Sequence, residues 1–289
     1  CLVSILPGMA QTEKLTDYVN PFVGTDGYGN VYPGAQIPFG GIQMSPDTDS
    51  RFYDAASGYK YNHLTLMGFS LTHLSGTGIP DLGDFLFIPG TGEMKLEPGT
   101  HEDPDKGYRS RYSHDKEWAS PNYYAVELAD YGVKAEMTSG VRSGMFRFTY
   151  PESDSAFIMI DMNHTLWQSC EWSNLRMIND STITGYKLVK GWGPERHVYL
   201  TATFSKKLTG LRFMQDKKPV IYNTSRFRSS YEAWGKNLMA CLSFDTKAGE
   251  EVIVKTAVSA VSTDGARNNM KELDGLTFNE LKAKGEALW

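Results

Sequence analysis

Cysteine is scarce in this sequence. There are 3 in 289 residues, Cys1, Cys170 and Cys241, and none stands in a C-x-x-C or other redox-type or metal-type spacing. Thiol-redox and structural-zinc readings therefore lack their residues. Cys170 and Cys241 read as buried free thiols, with one disulfide as the minority alternative. Positive charge is no more abundant: 29 Lys and Arg stand against 34 Asp and Glu, a net charge of −5. No basic stripe is available to neutralise phosphates, which speaks against nucleic acid and anionic membrane surfaces as partners. No apolar run is long enough to span a bilayer. The signatures G-x-x-x-x-G-K-[ST], G-x-S-x-G and H-E-x-x-H are missing too, so P-loop, serine-hydrolase and zincin chemistry have no footing. Gly24, Gly27 and Gly29 fall out of dinucleotide-binding order, and Pro33 and Pro38 bar a helix after them. Asp47 and Asp49 open like a calcium loop, but Arg51 stands at the third oxygen position and Gly58 at the closing glutamate, so no EF-hand is formed.

What is present is strand pattern. After Asn20 the chain is mostly short runs rich in Val, Ile, Phe, Tyr and Thr, such as "SAFIMIDMNH" and "RHVYLTATFSK", divided by Gly, Pro, Asn, Asp or Ser. This predicts a mainly β fold, a large antiparallel sandwich over residues 17–263, with Tyr131-Gly132 and Ser143-Gly144 as turns. The tail changes period. Asp264 can cap a short helix carrying Ala266, Met270 and Leu273, and Thr277 with Glu280 forms a capping box for a second helix. That helix carries Leu281, Leu288 and Trp289 on an apolar face expected to lie exposed. Residues 264–289 thus read as a helical linker toward a further domain. At the other end, "CLVSILPGMAQTEK" resembles the tail of a signal peptide cleaved after Ala10, a remnant over residues 1–10. Lipidation of Cys1 is the second alternative. Either predicts export.

Two glycine- and proline-dense runs interrupt the strands, "NPFVGTDGYGNVYPGAQIPFGG" from Asn20 and "THLSGTGIPDLGDF" from Thr72. Such density fixes particular backbone angles and suggests loops that shape a site. Asp81 and Asp84, three apart, read first as caps of buried turns, second as a pair that could share a cation or sugar hydroxyls. His73 reads as a histidine bonded inside its loop. His101, His114 and His197 have no companions that suggest a metal. The 16 tyrosines and 6 tryptophans suit stacking on sugar rings, although most single positions in a large sheet protein are core.

The elements N-P-F-x-G-T, P-G-A-x-x-P-F-G, S-G-Y-x-Y, G-F-S-x-T-H-L-S-G-T-G and D-L-G-D-F, together with "GWGPERHVYLTATFSK", resemble the amino-terminal domain of glycoside hydrolase family 92 over Asp17 to Trp289. The family comprises calcium-dependent exo-α-mannosidases common in gut Bacteroidetes. The resemblance implies a β-sandwich of the supersandwich, galactose-mutarotase-like type, joined by a helical linker to an (α/α)6 barrel. That barrel would supply the acid, the base and most of the calcium site. It also implies a periplasmic or outer-surface location and a mannose-containing glycan as substrate. On this reading the sugar-facing loops hold Phe22, Gly24, Thr25, Gly76, Thr77, Gly78 and Asp81, with Tyr53 and Asp54 of "YDAASGY" at a family tryptophan position that serves the leaving-sugar subsite. The chain departs from the pattern at Tyr53 and at Ile79, where relatives carry cysteine, which puts linkage preference in doubt. A stand-alone carbohydrate-binding module and a purely structural domain are the rival readings; direct mannoside binding by the isolated chain separates them.

Overall fold

The structure, a computed structural model, describes residues 14–50, 53–221 and 231–289. The signal-peptide remnant assigned to residues 1–10 lies outside the described residues. Among those described, two antiparallel sheets dominate. One has seven strands, in the spatial order Ser45–Asp47, Gly68–Ser70, Leu86–Thr91, Ser153–Asp161, Leu238–Thr246, Gly210–Gln215, Lys218–Pro219. The other has nine, in the order Glu232–Gly235, Ser169–Asn179, Thr182–Lys190, Arg196–Phe204, Glu250–Ser259, Ser143–Tyr150, Val133–Ser139, Tyr123–Leu128, Glu117–Ser120.

The inner faces close on each other through alternate side chains, as the pleat requires. Phe87, Ile158, Ile160 and Leu242 from the smaller sheet meet Phe146, Phe148, Leu200 and Val254 from the larger, all buried in one cluster. The rings of Phe87 and Phe146 lie 5.1 Å apart, centroid to centroid. "SAFIMID" reads as continuous apolar sequence because both of its faces are covered. Ile158 and Ile160 point into the sandwich, while Phe157 and Met159 point outward beneath Met94, Leu96 and Tyr108. Cys170 and Cys241 are buried and unpaired, so no disulfide joins them.

Strand pattern gave the turn at Gly132 correctly, where φ is +64°. The next turn is shifted: Ser143 and Gly144 already belong to a strand, and the reversal lies at 140–142. Its cause is a distant carboxylate. Glu272 accepts hydrogen bonds from Val141 N at 2.6 Å, Arg142 N at 3.2 Å and the Ser143 hydroxyl at 2.6 Å.

Glu272 belongs to the helical tail. Helix α1 spans Thr263–Met270 and helix α2 spans Phe278–Glu286. The cap of α1 is Ser262, whose hydroxyl accepts from Gly265 N; Asp264 sits instead in the first turn, where it faces the positive end of the helix dipole. The capping box of Thr277 and Glu280 is formed as the sequence predicts. The apolar face, however, is not left exposed. Leu273, Phe278 and Leu281 are buried against Met145 on the outer face of the larger sheet, because that face would otherwise be wet. Arg147 lies over the Phe278 ring at 4.4 Å. Gly285 lets α2 approach, since a Cβ there would fall 1.6 Å from the Asn122 amide. Only the end of the tail stays open: Leu288 is 60% exposed and Trp289 49%, the latter donating from Nε1 to Gln36 O at 2.9 Å.

A docked helix makes Leu281→Ala costly. Truncation should lower unfolding free energy by about 2–5 kcal/mol, measured by urea denaturation. A loss under about 0.5 kcal/mol, typical of exposed positions, would mean that α2 is not packed on the sheet.

Candidate functional site

Three loops converge at one end of the smaller sheet, and Asn30 is their common point. Its carbonyl accepts from Gly76 N at 2.7 Å and its side-chain oxygen from Ala56 N at 3.4 Å, tying the 20–41 run to the "GTG" loop and to the S-G-Y loop. Asn30 is buried at φ +51°, a conformation asparagine tolerates better than most residues. Its sequence signal, an asparagine closing a glycine-rich run, was not picked out. Gly24 (φ +86°) directs its carbonyl onto Val31 N at 3.2 Å and so starts the same loop.

Below the loops lies Asp47, a carboxylate with no solvent access at the end of the strand Ser45–Asp47. One oxygen meets His73 Nε2 at 2.8 Å and the other meets His164 Nε2 at 2.8 Å. The second ring nitrogen of His73 lies 2.8 Å from Gln43 O, and Ser70 Oγ is 3.0 Å from Nε2. Burial pushes the Asp47 carboxyl up, but the charge and hydrogen bonds of His73 and His164 outweigh it and hold the group well below the usual carboxylate range. Gly58 of the S-G-Y element explains itself here. Its φ is +85° and a Cβ would stand 2.0 Å from an Asp47 oxygen, so only glycine fits. Tyr59, next in sequence, donates to Glu117 at 3.0 Å and anchors the other side of the loop.

A second buried acid stands nearby. Asp84 accepts from Thr72 Oγ1 at 2.8 Å and from both terminal nitrogens of Arg196, at 2.5 and 3.3 Å, and pairs with the fully buried Lys187 at 3.3 Å. Burial pushes this carboxyl up, yet Lys187 and Arg196 bring it down to about 2. The two centres are connected: the ammonium of Lys187 donates to His164 O at 2.5 Å, while the His164 ring holds Asp47. Asp47, His164, Lys187, Asp84 and Arg196 thus form one chain of charge beneath the loops. Asp84 is satisfied inside the fold, as its first reading has it, but by the side chains of Thr72, Lys187 and Arg196 and not by capping backbone amides.

The predicted site residues divide into buried and surface sets. Phe22 wedges between Tyr59 and Tyr61, 6.4 and 5.7 Å between centroids. Thr25 is buried, and its hydroxyl donates to Phe22 O at 2.7 Å, so the two residues brace the loop. Asp81 is nearly buried; it accepts from Leu82 N at 2.6 Å and lies 3.8 Å from Arg196. Thr77 donates to Ile79 O at 3.0 Å. At the surface are Gly76, in open space at φ +70°, Gly78, and Tyr53, which is 57% exposed. The Tyr53 hydroxyl approaches Gly78 closely enough that a Cβ there would sit 3.5 Å from it, so two segments 25 residues apart in sequence share one surface. The Asp54 side chain lies outside what the structure describes. His164, Lys187 and Arg196 were not foreseen, since each comes from more than 75 residues away.

The motifs, the sandwich and this loop apex agree with the family model of the glycosyl hydrolase family 92 N-terminal domain, which matches residues 18–259. The chain belongs to that family. The family GH92 alpha-mannosidase BT3965 from Bacteroides thetaiotaomicron, solved with mannoimidazole, is 97% identical to it, with a TM-score of 0.94 over 96% of this chain and 36% of that one. The GH92 glycosyl hydrolase ccman5 is 26% identical at a TM-score of 0.79, over 95% of this chain and 36% of that one. An uncharacterized secreted glycosidase of Arthroderma benhamiae is 29% identical over 140 residues, 48% of this chain and 18% of the relative. The family 92 domain therefore spans about a third of the length of the solved relatives it matches.

The buried carboxylates of the family 92 domain are ill suited to act as a general acid, because the partners of each, two histidines for Asp47 and Lys187 with Arg196 for Asp84, favour its charged form. They do not fit a calcium site either. Asp84 and Asp47 have their oxygens taken by Lys187, Arg196, Thr72 and two histidines, and no cluster of three metal-ligating side chains occurs among the described residues. The sign of the Asp84 shift sets an acid-lability window. A carboxyl lowered by folding contributes stability that is present above its unfolded pKa, about 3.9, and is lost as pH falls toward its folded value of about 2. Asp84→Asn should flatten the stability profile between roughly pH 4 and 2. At neutral pH it should cost about 3–5 kcal/mol, since Lys187 is left buried without its partner. Urea unfolding across pH reads both effects; an unchanged acid limb would remove Asp84 from this role.

Proposed function

We propose that the intact protein is an exported exo-α-mannosidase that releases terminal mannose from glycans with inversion, and that this chain forms one wall of its sugar pocket. The observation that carries the reading is the 97% identity to a family 92 alpha-mannosidase whose structure was solved with mannoimidazole. The loop apex supports it, since an exposed phenol beside open glycine backbone offers a stacking face and close approach for a sugar. Inversion needs an acid and a base about 6.5–9.5 Å apart with a water between them. Those groups, and the calcium that binds the sugar, come from the remainder of the protein, the barrel that covers this face. Export is supported by the signal-like N-terminal sequence and by the secreted description of the fungal relative. No helix among the described residues is long and apolar enough to cross a membrane.

The test uses the full-length protein with an aryl α-mannoside, following the anomer of the released sugar by NMR. Appearance of β-mannose, abolished by a chelator and restored by calcium, is the expected result; retention, or no hydrolysis, contradicts it. A chain of residues 11–289 alone should release no mannose, because general acid-base assistance contributes about 10²–10⁴-fold and this reading places that pair in the remainder of the protein. Within the intact enzyme, Tyr53→Ala should reduce kcat/KM for an α-mannobiose by roughly tenfold, consistent with loss of an aromatic contact, while an activated aryl mannoside is little affected. Equal losses on both would place Tyr53 outside the leaving-sugar side.

A further inference from the structure

Trp167 and Trp192 face one cleft of about 380 Å³ beside the "GTGIPD" loop, with Pro80 of that loop and Gln168 in its wall. Both indoles are open to solvent, at 64% and 69% exposure, and neither has an aromatic partner among the described residues. Trp192 sits at the tip of the reversal between the strands Thr182–Lys190 and Arg196–Phe204. Trp167 is held at φ +76°, a left-handed conformation that bulky side chains rarely adopt. A strained backbone that presents a large apolar ring to water is an outlier that asks for a functional reason.

Gln168 closes the wall between the rings. The Gln168 amide nitrogen donates to Pro80 O at 3.0 Å and to Leu166 O at 2.7 Å. Gly191 presses on the same side chain so closely that a Cβ would fall 2.4 Å from Gln168 Cγ. With its nitrogen held, the Gln168 carbonyl oxygen is shielded from solvent and accepts no hydrogen bond. An unsatisfied buried acceptor is rare, and a ligand donor satisfies this one once a turn of the side chain brings it into the cleft. Two indole faces beside one waiting acceptor match the two-sided chemistry of a pyranose, whose C–H face is apolar and whose rim carries hydroxyl donors. A protein segment docking on the rings would bury the indoles without needing that oxygen.

We propose that this cleft is a sugar subsite, binding a pyranose unit of the glycan beyond the terminal mannose. One or both indoles lie against its C–H face, and the Gln168 side chain turns to bring its shielded Oε1 into the cleft, where it accepts one of the sugar's hydroxyl protons. The proposal rests on the α-mannosidase reading and deepens it, since Pro80 links the cleft along the loop to Gly78 and Tyr53. It makes the chain a determinant of glycan length or branch preference.

The experiment compares full-length wild type with Trp192→Ala, Trp167→Gly and Gln168→Leu. KM for an α-linked manno-oligosaccharide should rise about three- to tenfold in each, with kcat/KM for an aryl mannoside within about twofold of wild type. Glycine accepts the left-handed conformation freely, so Trp167→Gly should keep the wild-type melting temperature while losing the oligosaccharide preference. Unchanged oligosaccharide KM, or equal losses on both substrates, overturns the subsite and leaves the rings to contact the rest of the protein. Indole fluorescence titrated with manno-oligosaccharide gives a readout independent of turnover. If the enzyme hydrolyses no mannoside, the mannosidase reading fails, while quenching that Trp192→Ala removes would still support the cleft; absence of quenching in wild type would sink it.

Discussion

Two carboxylates without solvent access, Asp47 and Asp84, hold the loop end of this domain in place. Neither could remain charged in a dry interior alone, so each recruits partners from distant parts of the chain: His73 and His164 for the first, Lys187 and Arg196 for the second. The partners impose the geometry. His73 brings in the loop that carries "GTG", His164 brings in the loop before the strand Ser169–Asn179, and Lys187 and Arg196 bind both to the larger sheet. A buried ion pair adds little net stability compared with an apolar core, but it specifies one arrangement, because every displaced member would be left unpaired. We regard that specificity as the role of the charge chain here.

Such anchoring suits loops that must be shaped before a ligand arrives. Glycine is required where the anchors crowd the backbone, as Gly58 shows against Asp47, and it is free where the surface opens, as Gly76 shows in empty space. The same loop therefore contains a fixed root and an accessible tip. The sandwich serves as scaffold, with both outer faces at least partly covered: Met94, Leu96 and Tyr108 lie over the smaller sheet, α1 and α2 over the larger. Tyr53 and Tyr28, in these loops, are among the exposed large side chains of the domain.

Much of this was readable in sequence where the determinants are local. Strand runs, the Gly132 turn and the Thr277–Glu280 capping box depend on neighbours a few residues away. The glycine-rich loops declared themselves by composition. What the sequence did not show depends mostly on partners far apart in the chain. Thr25 is the local exception: its hydroxyl closes a turn onto Phe22, three residues back. Lys187 sits in "GYKLVKG", where alternation suggests a surface lysine, but Asp84 holds it with no exposure at all. The apolar side of α2 looked unpartnered because its partner, Met145, lies in a strand over a hundred residues earlier. No periodicity or spacing reports such pairings.

The central claim is that the buried charges make the loop end as rigid as the sandwich beneath it. Native-state hydrogen exchange tests it directly. The amides of Gly83, bonded to Thr72 O, of Thr48, bonded to Gly58 O, and of Lys60, bonded to Thr48 Oγ1, should be protected to the same degree as those of the central strand Ser153–Asp161. Exchange at these loop amides about a hundredfold or more faster than in the strand, with the sandwich itself intact, would show that the loops open independently and that the charge chain does not hold them.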